Sequence, residues 1–549
     1  MNKRFSAILL MLVFALVLKT NAQEKVYLVP DRTSCASGDT IWFTTMVFNR
    51  SEEVPAGNVV HVQLDKLNGK HVTRVNIVSQ GVTGDGYLPV PDSLSTGIYV
   101  LKAFTNVQTD DSNAIINQRL VTVYNRFDTD ISTINYPEVE TKYFEALEGV
   151  EIHQNNHERE NNSVEFTINL PEEIREDLEE MIVIARLKDP MSDSFSSGFI
   201  ATPIKQKALP FMAVPEKNGL LIKGKVIANS DESEVEGATI LLSISDTLPY
   251  FDFCITDSHG RFSFYLRNAY GTANLIVQEL SNNPGENRIV FDDNFIETPG
   301  INASSKILNN EERSYSDAVV KSAYFDKFFK SYTSLSTDTF SLSSDFEYPF
   351  YGKPTNTFYP ELFIDLPDFQ EISREILRGV QYRNRKEEVS IRLFDHGTQN
   401  IFNNEPFKLL DGVPVFDPDI FTDMGTTDIK KVDAVFYKHY FGDISFDGVL
   451  AVYTHHPTLT WVENLEGVNV TRYQCLQPEL KWDFSNSSNK AENTPDFKKV
   501  FFRKKWKNVS SSETISFNTS NIKGDLVLEL IVVNRKQEIL QHHEIFQNN

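Results

Sequence analysis

Apolar and polar residues alternate with a period of two through much of the chain. DTIWFTTMVFN (Asp39 to Asn49), NVVHVQLDKLNGKHVTRVNIV (Asn58 to Val78) and TGIYVLKAFTN (Thr96 to Asn106) carry this rhythm, and Asn68-Gly69 and Gly84-Asp85-Gly86 supply turns. Short alternating strands between turn signals predict an antiparallel β-sandwich over residues 23–125. VEFTINLP (Val164 to Pro171) and EMIVIARLKD (Glu180 to Asp189) predict strands of a second sandwich over 126–215. Between them EEIREDLEE is a short acidic helix or a loop, with its charge run facing solvent. A third region, 216–300, opens with LLIKGKVIANSDESEVEGATILLSI, which reads as strand, polar loop and strand. In the following TDSHGRFSFYL, Gly260 marks a turn and Phe262, Phe264 and Leu266 share one face.

Residues 301–365 are rich in Ser, Asn, Phe and Tyr with weak periodicity, which predicts an ordered but irregular connector. Its aromatics Phe325, Phe328, Phe329 and Tyr332 are costly to leave in water and are expected to pack on a neighbouring domain. At Asp368 the pattern changes. Asp368 is an N-cap with Glu371 three residues on, and Phe369, Ile372, Ile376, Leu377 and Val380 recur at helical spacing. VSIRLFD then places Val389, Ile391 and Leu393 on one side of a strand. In FKLLDGVPV, Asp411-Gly412 supplies a turn, and Pro414 lacks the N–H that a central ladder needs, so the strand ends or bulges there. DIKKVDAVFY and GVLAVYTH complete a compact mixed α/β unit over 366–460. ETISFNTSNIKGDLVLELIVVNRKQEILQHHEIF, three strands with a turn at Lys523-Gly524, predicts the close of a last small sandwich over 461–549. The expected fold class is therefore mainly β: tandem antiparallel β-sandwiches plus one small mixed α/β domain.

Composition narrows the setting. Lys3 and Arg4 precede the apolar run Phe5 to Leu18, followed by Thr20-Asn21-Ala22, which reads as a secretory signal peptide over 1–22 cleaved after Ala22. The run is too short for a stable anchor across a bilayer of about 30 Å, and no later apolar run reaches the length of a membrane helix. Loss of Lys3, Arg4 and Lys19 takes the formal charge from −23 to −26. A field of that sign repels phosphate backbones and anionic lipid, which argues against a nucleic-acid partner. Cys35, Cys254 and Cys475 are odd in number and widely spaced, so they are expected as buried small hydrophobes, although one pair could bridge in an oxidising compartment.

Three stretches resemble known families. The succession EKVYLVPDRTSCASGDTIWF, VQLDKLNGK and GDGYLPVPDSLSTGIYVLKAFTN resembles the macroglobulin-type, Ig-like β-sandwich at the start of many exported proteins of the Bacteroidota. The pairing of GKV and VEGATI with TDSHGRFSF resembles the carboxypeptidase regulatory-like domain, a transthyretin-like sandwich that acts as an accessory and implies no peptidase activity. The 366–460 unit is similar to the plug domain of TonB-dependent outer-membrane receptors. Leu410-Asp411-Gly412-Val413-Pro414 stands at the family's VDGVP turn, Asp428-Ile429 through Val432 at its next strand, Tyr440-Phe441-Gly442 at its tyrosine–glycine turn with Phe441 inserted, and Gly448 to Val452 at its last strand. This resemblance makes Asp411, Gly412, Pro414, Tyr440, Phe441 and Gly442 candidate binding residues. A membrane strand takes about 9 to 11 residues before its turns are added, so the 89 residues after the unit are exhausted by some six strands with their turns, fewer than the eight of the smallest barrels. A plug with no barrel in cis is therefore expected, and the final segment resembles a further macroglobulin-type module.

Other constellations carry residue types that chemistry uses. His455-His456 and His542-His543-Glu544 lie on strand patterns, where neighbouring side chains point to opposite faces and do not converge on a metal. Asp257 and His259 flank a turn. Asp417-Pro418-Asp419 with Asp423 lacks calcium-loop spacing. In Cys475-Leu476-Gln477 the glutamine is two positions from the cysteine, where the thioester of protease-trapping macroglobulins needs three. No cofactor, metal or catalytic residue is expected. The expectation is a non-enzymatic, exported cell-envelope protein that binds or scaffolds an outer-membrane or periplasmic protein, a β-barrel being one candidate. It would lie in the periplasm, at the outer membrane or on the cell surface. The alternatives are an accessory role in TonB-dependent nutrient uptake and a protease-inhibitor-like or enzymatic role.

Overall fold

The computed structural model describes residues 24–48, 58–109, 114–128, 131–158, 163–191, 198–204, 216–217, 219–245, 249–281, 283, 285–292, 295–329, 341–342, 347–385, 388–462, 465, 467–478 and 497–547. The expected signal segment 1–22 lies outside them, as do Tyr332 and the side chains of Phe328 and Phe329. The described chain is mainly β, with many antiparallel sheets. It forms two compact units: residues up to 218 with 294–337 and 476–549, and residues 219–293 with 338–475.

The first unit begins with the sandwich expected over 23–125. Lys25–Pro30, Thr40–Phe48 and Thr83–Pro89 form one sheet, and His71–Ser79, Asn58–Lys66, Gly97–Phe104 and Ile115–Tyr124 form the other. The alternation decides the core: Val60, Val62 and Leu64 point inward with Leu101, Ala103 and Phe43. The outer edge of the second sheet is Ile200–Pro203, a strand from the region assigned by sequence to the next domain.

Strands from 126–215 and from 461–549, read from the sequence as two sandwiches, build one. Leu178–Leu187 pairs with Leu526–Asn534 on one side and Val500–Trp506 on the other, and Ser163–Asn169 pairs with Ser512–Asn518. The reason lies in the strand itself. Met181, Ile182, Val183 and Ile184 are all fully buried, so both faces need cover and both edges need partners, which the chain supplies from far downstream. Met181 and Val183 join the new sandwich core, while Ile182 and Ile184 pack with Val29 and Met46 of the first sandwich. Polar contacts join the same two sandwiches: Lys505 Nζ lies 2.9 Å from Asp85 and 3.3 Å from Glu180, which accepts from the Thr83 hydroxyl. The EEIREDLEE segment begins as a short helix, Glu172–Glu176, and then enters this strand.

The expected irregular connector is ordered differently. Ala303–Ile307 pairs with Thr133–Pro137, and Asn310–Phe329 is a 20-residue helix. A reciprocal cap starts it: the Glu312 N–H donates to Asn309 Oδ1 at 2.9 Å, and the Asn309 N–H donates to Glu312 Oε2 at 2.8 Å. Its buried face is small and partly polar, Ser316, Val319, Ser322 and Ala323, which hides the helical period in the sequence. Phe325, still 36% exposed, stacks on Phe497 of the 461–549 segment at 4.4 Å.

The second unit holds a sandwich and the α/β unit. Gly219–Ala228, Arg261–Arg267 and Asn287–Phe291 face a sheet of Tyr250–Ile255, Thr239–Ile244, Thr272–Glu279 and Val468–Gln474. Phe262, Phe264 and Leu266 are buried together, and Gly260 turns with φ 65°. Val468–Gln474 belongs here, not to the final sandwich expected over 461–549. The α/β unit is a mixed sheet in the order Asn356–Phe358, Ile429–Val435, Val449–Thr454, Phe407–Leu410, Val413–Val415, with one parallel pairing, Phe407–Leu410 on Val449–Thr454. Asp368 caps the helix Phe369–Glu375, its Oδ1 accepting the Glu371 N–H at 2.8 Å. That helix is shorter than its apolar spacing predicts, because Gly379 turns the chain at φ 89° and Val380 opens a hairpin strand.

Candidate functional site

Of the six binding residues suggested by the sequence, three are buried in the fold. Asp411 and Gly412 take φ values of 50° and 83° and close the hairpin between Phe407–Leu410 and Val413–Val415. Asp411 Oδ1 accepts the Thr454 N–H and Oδ2 accepts the Thr454 hydroxyl, both at 2.7 Å, while the Asp411 carbonyl accepts from the Ser245 hydroxyl at 2.7 Å. Burial pushes the Asp411 carboxyl above its ordinary range, against the lowering pull of the Thr454 bonds. A Cβ on Gly412 would lie 2.3 Å from Pro249 Cβ. Pro414 sits in the sheet's edge strand, where the missing N–H breaks no ladder, and its carbonyl accepts from Gln278 Nε2 at 3.2 Å. The VDGVP-like turn thus fastens the α/β unit to the sandwich over 219–293, with Asp411, Gly412 and Pro414 buried.

Tyr440, Phe441 and Gly442 form the tip of a small hairpin, His439–Phe441 with Ile444–Phe446. Phe441 turns inward to a cluster with Phe251, Phe407 and Phe350 at ring distances of 5.2, 5.4 and 5.6 Å. Tyr440 is exposed, with Lys438 Nζ 5.8 Å from its ring. Gly442 is exposed, and a Cβ there would lie 2.9 Å from the Phe253 ring.

The remaining constellations make local contacts. Asp257 Oδ1 accepts the His259 and Arg261 N–H groups at 2.9 Å each and so builds the turn. Asp417 caps a 3-10 turn through the Asp419 N–H at 3.0 Å. His455 lies 3.4 Å from Glu361, and His542 lies 3.8 Å from Glu544. Among the described residues, no group of three or more His, Cys, Asp or Glu side chains stands together as a metal site. Cys475 is buried, and burial pushes its thiol up to about 12. Both amide atoms of Gln477 are engaged by the Tyr87 backbone, Oε1 accepting its N–H at 3.1 Å and Nε2 donating to its carbonyl at 2.6 Å.

The feature that sequence reasoning missed is the loop Tyr359–Ile364. It leaves the edge strand Asn356–Phe358 through a 3-10 turn, Pro360–Leu362, in which the Leu362 N–H donates to the Tyr359 carbonyl at 3.1 Å and the Phe363 N–H to the Pro360 carbonyl at 3.0 Å. Pro360 is buried at one end. At the other, Leu366 is buried and exchanges bonds with Thr426, its N–H donating to Oγ1 at 3.1 Å and its carbonyl accepting the Thr426 N–H at 3.0 Å. Between these anchors Leu362, Phe363 and Ile364 are 75%, 59% and 71% exposed, with Tyr359 at 45%. Three consecutive large apolar side chains held in water on a pinned loop make a patch of the kind that marks interaction sites. Glu361 and Asp365 flank them. The available signal was the apolar triplet between two prolines, Pro360 and Pro367, hidden inside what reads as a connector.

No protein-family model matches the chain, and no curated protein sequence matches it. Among solved structures the chain is similar to trypsin-activated alpha-2-macroglobulin from Escherichia coli, at 8% identity and a TM-score of 0.23 over 95% of this chain and 41% of that one. It is similar to methylamine-reacted Salmonella alpha-2-macroglobulin at 7% identity and 0.23, over 96% and 40%. A third likeness is the Yersinia pseudotuberculosis adhesin InvE, at 15% identity and 0.14, over 49% and 58%. The chain spans about two fifths of the length of the macroglobulins it is matched to.

Proposed function

We propose that the chain is a non-enzymatic, exported cell-envelope protein that binds another envelope protein through the Tyr359–Ile364 loop. The exposed Leu362-Phe363-Ile364 triplet is the observation that carries this reading. Fully burying such side chains is worth about 1.5–3 kcal/mol each, so a partner pocket that takes all three gains several kcal/mol. Because both loop ends are fixed in the fold, little ordering cost opposes that gain. Glu361 and Asp365 flank the triplet, which favours an apolar pocket with a basic rim. The partner is an outer-membrane or periplasmic protein, and the signal-like segment 1–22 motivates this location.

Cross-linking mass spectrometry on whole cells tests the proposal, comparing the wild-type chain with Leu362→Ser/Phe363→Ser/Ile364→Ser. The expected result is one envelope protein cross-linked to the wild type and lost from the triple variant. Recovery of no partner above background, or equal recovery with both chains, overturns it. Protease shaving of intact against lysed cells separates surface from periplasm.

A further inference from the structure

Asp65 and Lys102 lie on two paired strands of the first sandwich, Asn58–Lys66 and Gly97–Phe104, with Lys102 opposite Gln63 in register. Their strand neighbours Leu64, Leu101 and Ala103 point into the apolar core, so Gln63, Asp65 and Lys102 leave the sheet on its other face. The segment Phe295–Thr298 closes over that face. Lys102 Nζ donates to the Ile296 carbonyl at 3.0 Å and to Thr298 Oγ1 at 3.2 Å, Gln63 Oε1 accepts the Ile296 N–H at 3.0 Å, and the Phe295 ring stacks on His71 at 4.8 Å. Lys102 and Gln63 are 0% exposed and Asp65 is 1% exposed. Inside this enclosure Lys102 Nζ lies 2.5 Å from Asp65 Oδ2, and Gln63 Nε2 donates to Asp65 Oδ1 and Oδ2 at 2.8 and 3.0 Å. His71 Nδ1 is 3.1 Å from Oδ1.

We propose that Lys102 and Asp65 condense to an intramolecular amide, a covalent cross-link between the two strands. A buried ammonium and carboxylate lose the hydration that normally keeps them charged, so transfer of a proton from Lys102 Nζ to Asp65 Oδ2 gives two neutral groups suited to a dry site. Burial holds the Lys102 ammonium below its ordinary range, against the opposing pull of Asp65, and this eases the first step. The freed nitrogen lone pair attacks Cγ, and Gln63 Nε2 holds the charge that develops on Oδ1. A second Nζ proton passes to the Oδ2 hydroxyl, the Cγ–Oδ2 bond breaks, water leaves and the electron pair on Oδ1 restores the carbonyl. Ammonium and carboxylate thus become one amide and one water, with no oxidant and no net proton. Fixed neighbours at this range react with a large effective concentration, and the exclusion of solvent removes the water that would reverse the reaction.

Tryptic digestion of the denatured full chain tests this, because trypsin does not cut after an acylated lysine. The expected product joins residues 51–66 to residues 75–119 in one branched species, lighter by one water than the two peptides together. In Lys102→Arg, which keeps the charge but removes the amine nucleophile, residues 51–66 are expected as a free peptide. Release of residues 75–102 with a free Lys102 as the dominant product from the wild type overturns the proposal, and the wild-type digest decides the question whether or not the variant folds.

Discussion

Two turns of the α/β unit, some fifty residues apart in sequence, use their residues in opposite ways. At Asp411-Gly412 every distinctive residue is consumed internally: the carboxylate by Thr454, the carbonyl by Ser245, the glycine by a backbone twist and by close approach to Pro249. At Tyr359–Ile364 the polar bonds serve only to fix the loop, and the large apolar side chains are turned to solvent. A conspicuous motif is conspicuous because the backbone demands it, and that demand is met by folding alone. The exposed apolar surface is carried by residues that look ordinary in sequence and become unusual only when their exposure is known.

The contrast breaks most sharply at Gly412. Gly412→Val forces a branched side chain into a left-handed conformation and against Pro249, and is expected to destabilise the second unit by at least about 3 kcal/mol. Thermal unfolding measures this, and an unchanged midpoint would show that the turn is not packed as described. Asp411→Ala leaves the Thr454 N–H and hydroxyl without their acceptor and is expected to cost about 2 kcal/mol in denaturant unfolding. Asp411→Asn sharpens the point through pH. Since burial raises the folded carboxyl's pKa, its contribution is fully present below the unfolded value and is lost as pH rises through the folded value. The uncharged variant lacks this decline, so its stability relative to wild type is expected to climb between acid and neutral pH; a constant difference contradicts the assignment. Asp368→Ala, removing the cap beside the exposed loop, is expected to cost about 1 kcal/mol. The triple serine variant of Leu362, Phe363 and Ile364 is expected to change stability by no more than about 0.5 kcal/mol while abolishing the cross-link to the partner.

Much of the architecture was legible where a single face is buried. The alternation in Asn58–Lys66 and in Arg261–Arg267, the Gly260 turn and the Asp368 cap all depend on neighbours within a few residues, and these features are where the sequence places them. What the sequence hid is long-range. Nothing local in Leu178–Leu187 says that its partners are Val500–Trp506 and Leu526–Asn534, so one sandwich reads as two. The helix Asn310–Phe329 was obscured by a buried face of serine and alanine, despite the Asn309 and Glu312 cap that announces it. The candidate site shows the same limit. Asp411, Gly412 and Pro414 were visible as a turn, but their burial depends on Pro249, Ser245 and Gln278 from a separate stretch of chain. Leu362, Phe363 and Ile364 give no periodic signal that separates an exposed apolar loop from a buried one.

Site-specific photo-cross-linking in whole cells separates the two readings of the unit most directly, with a photoreactive phenylalanine analogue placed at position 363 or at position 440. Both positions are exposed, at 59% and 64%, so neither replacement disturbs packing. A specific adduct with an envelope protein from position 363, exceeding that from position 440, is the predicted result. An adduct from position 440 with none from position 363, or none from either, would contradict the assignment of partner binding to the Tyr359–Ile364 loop.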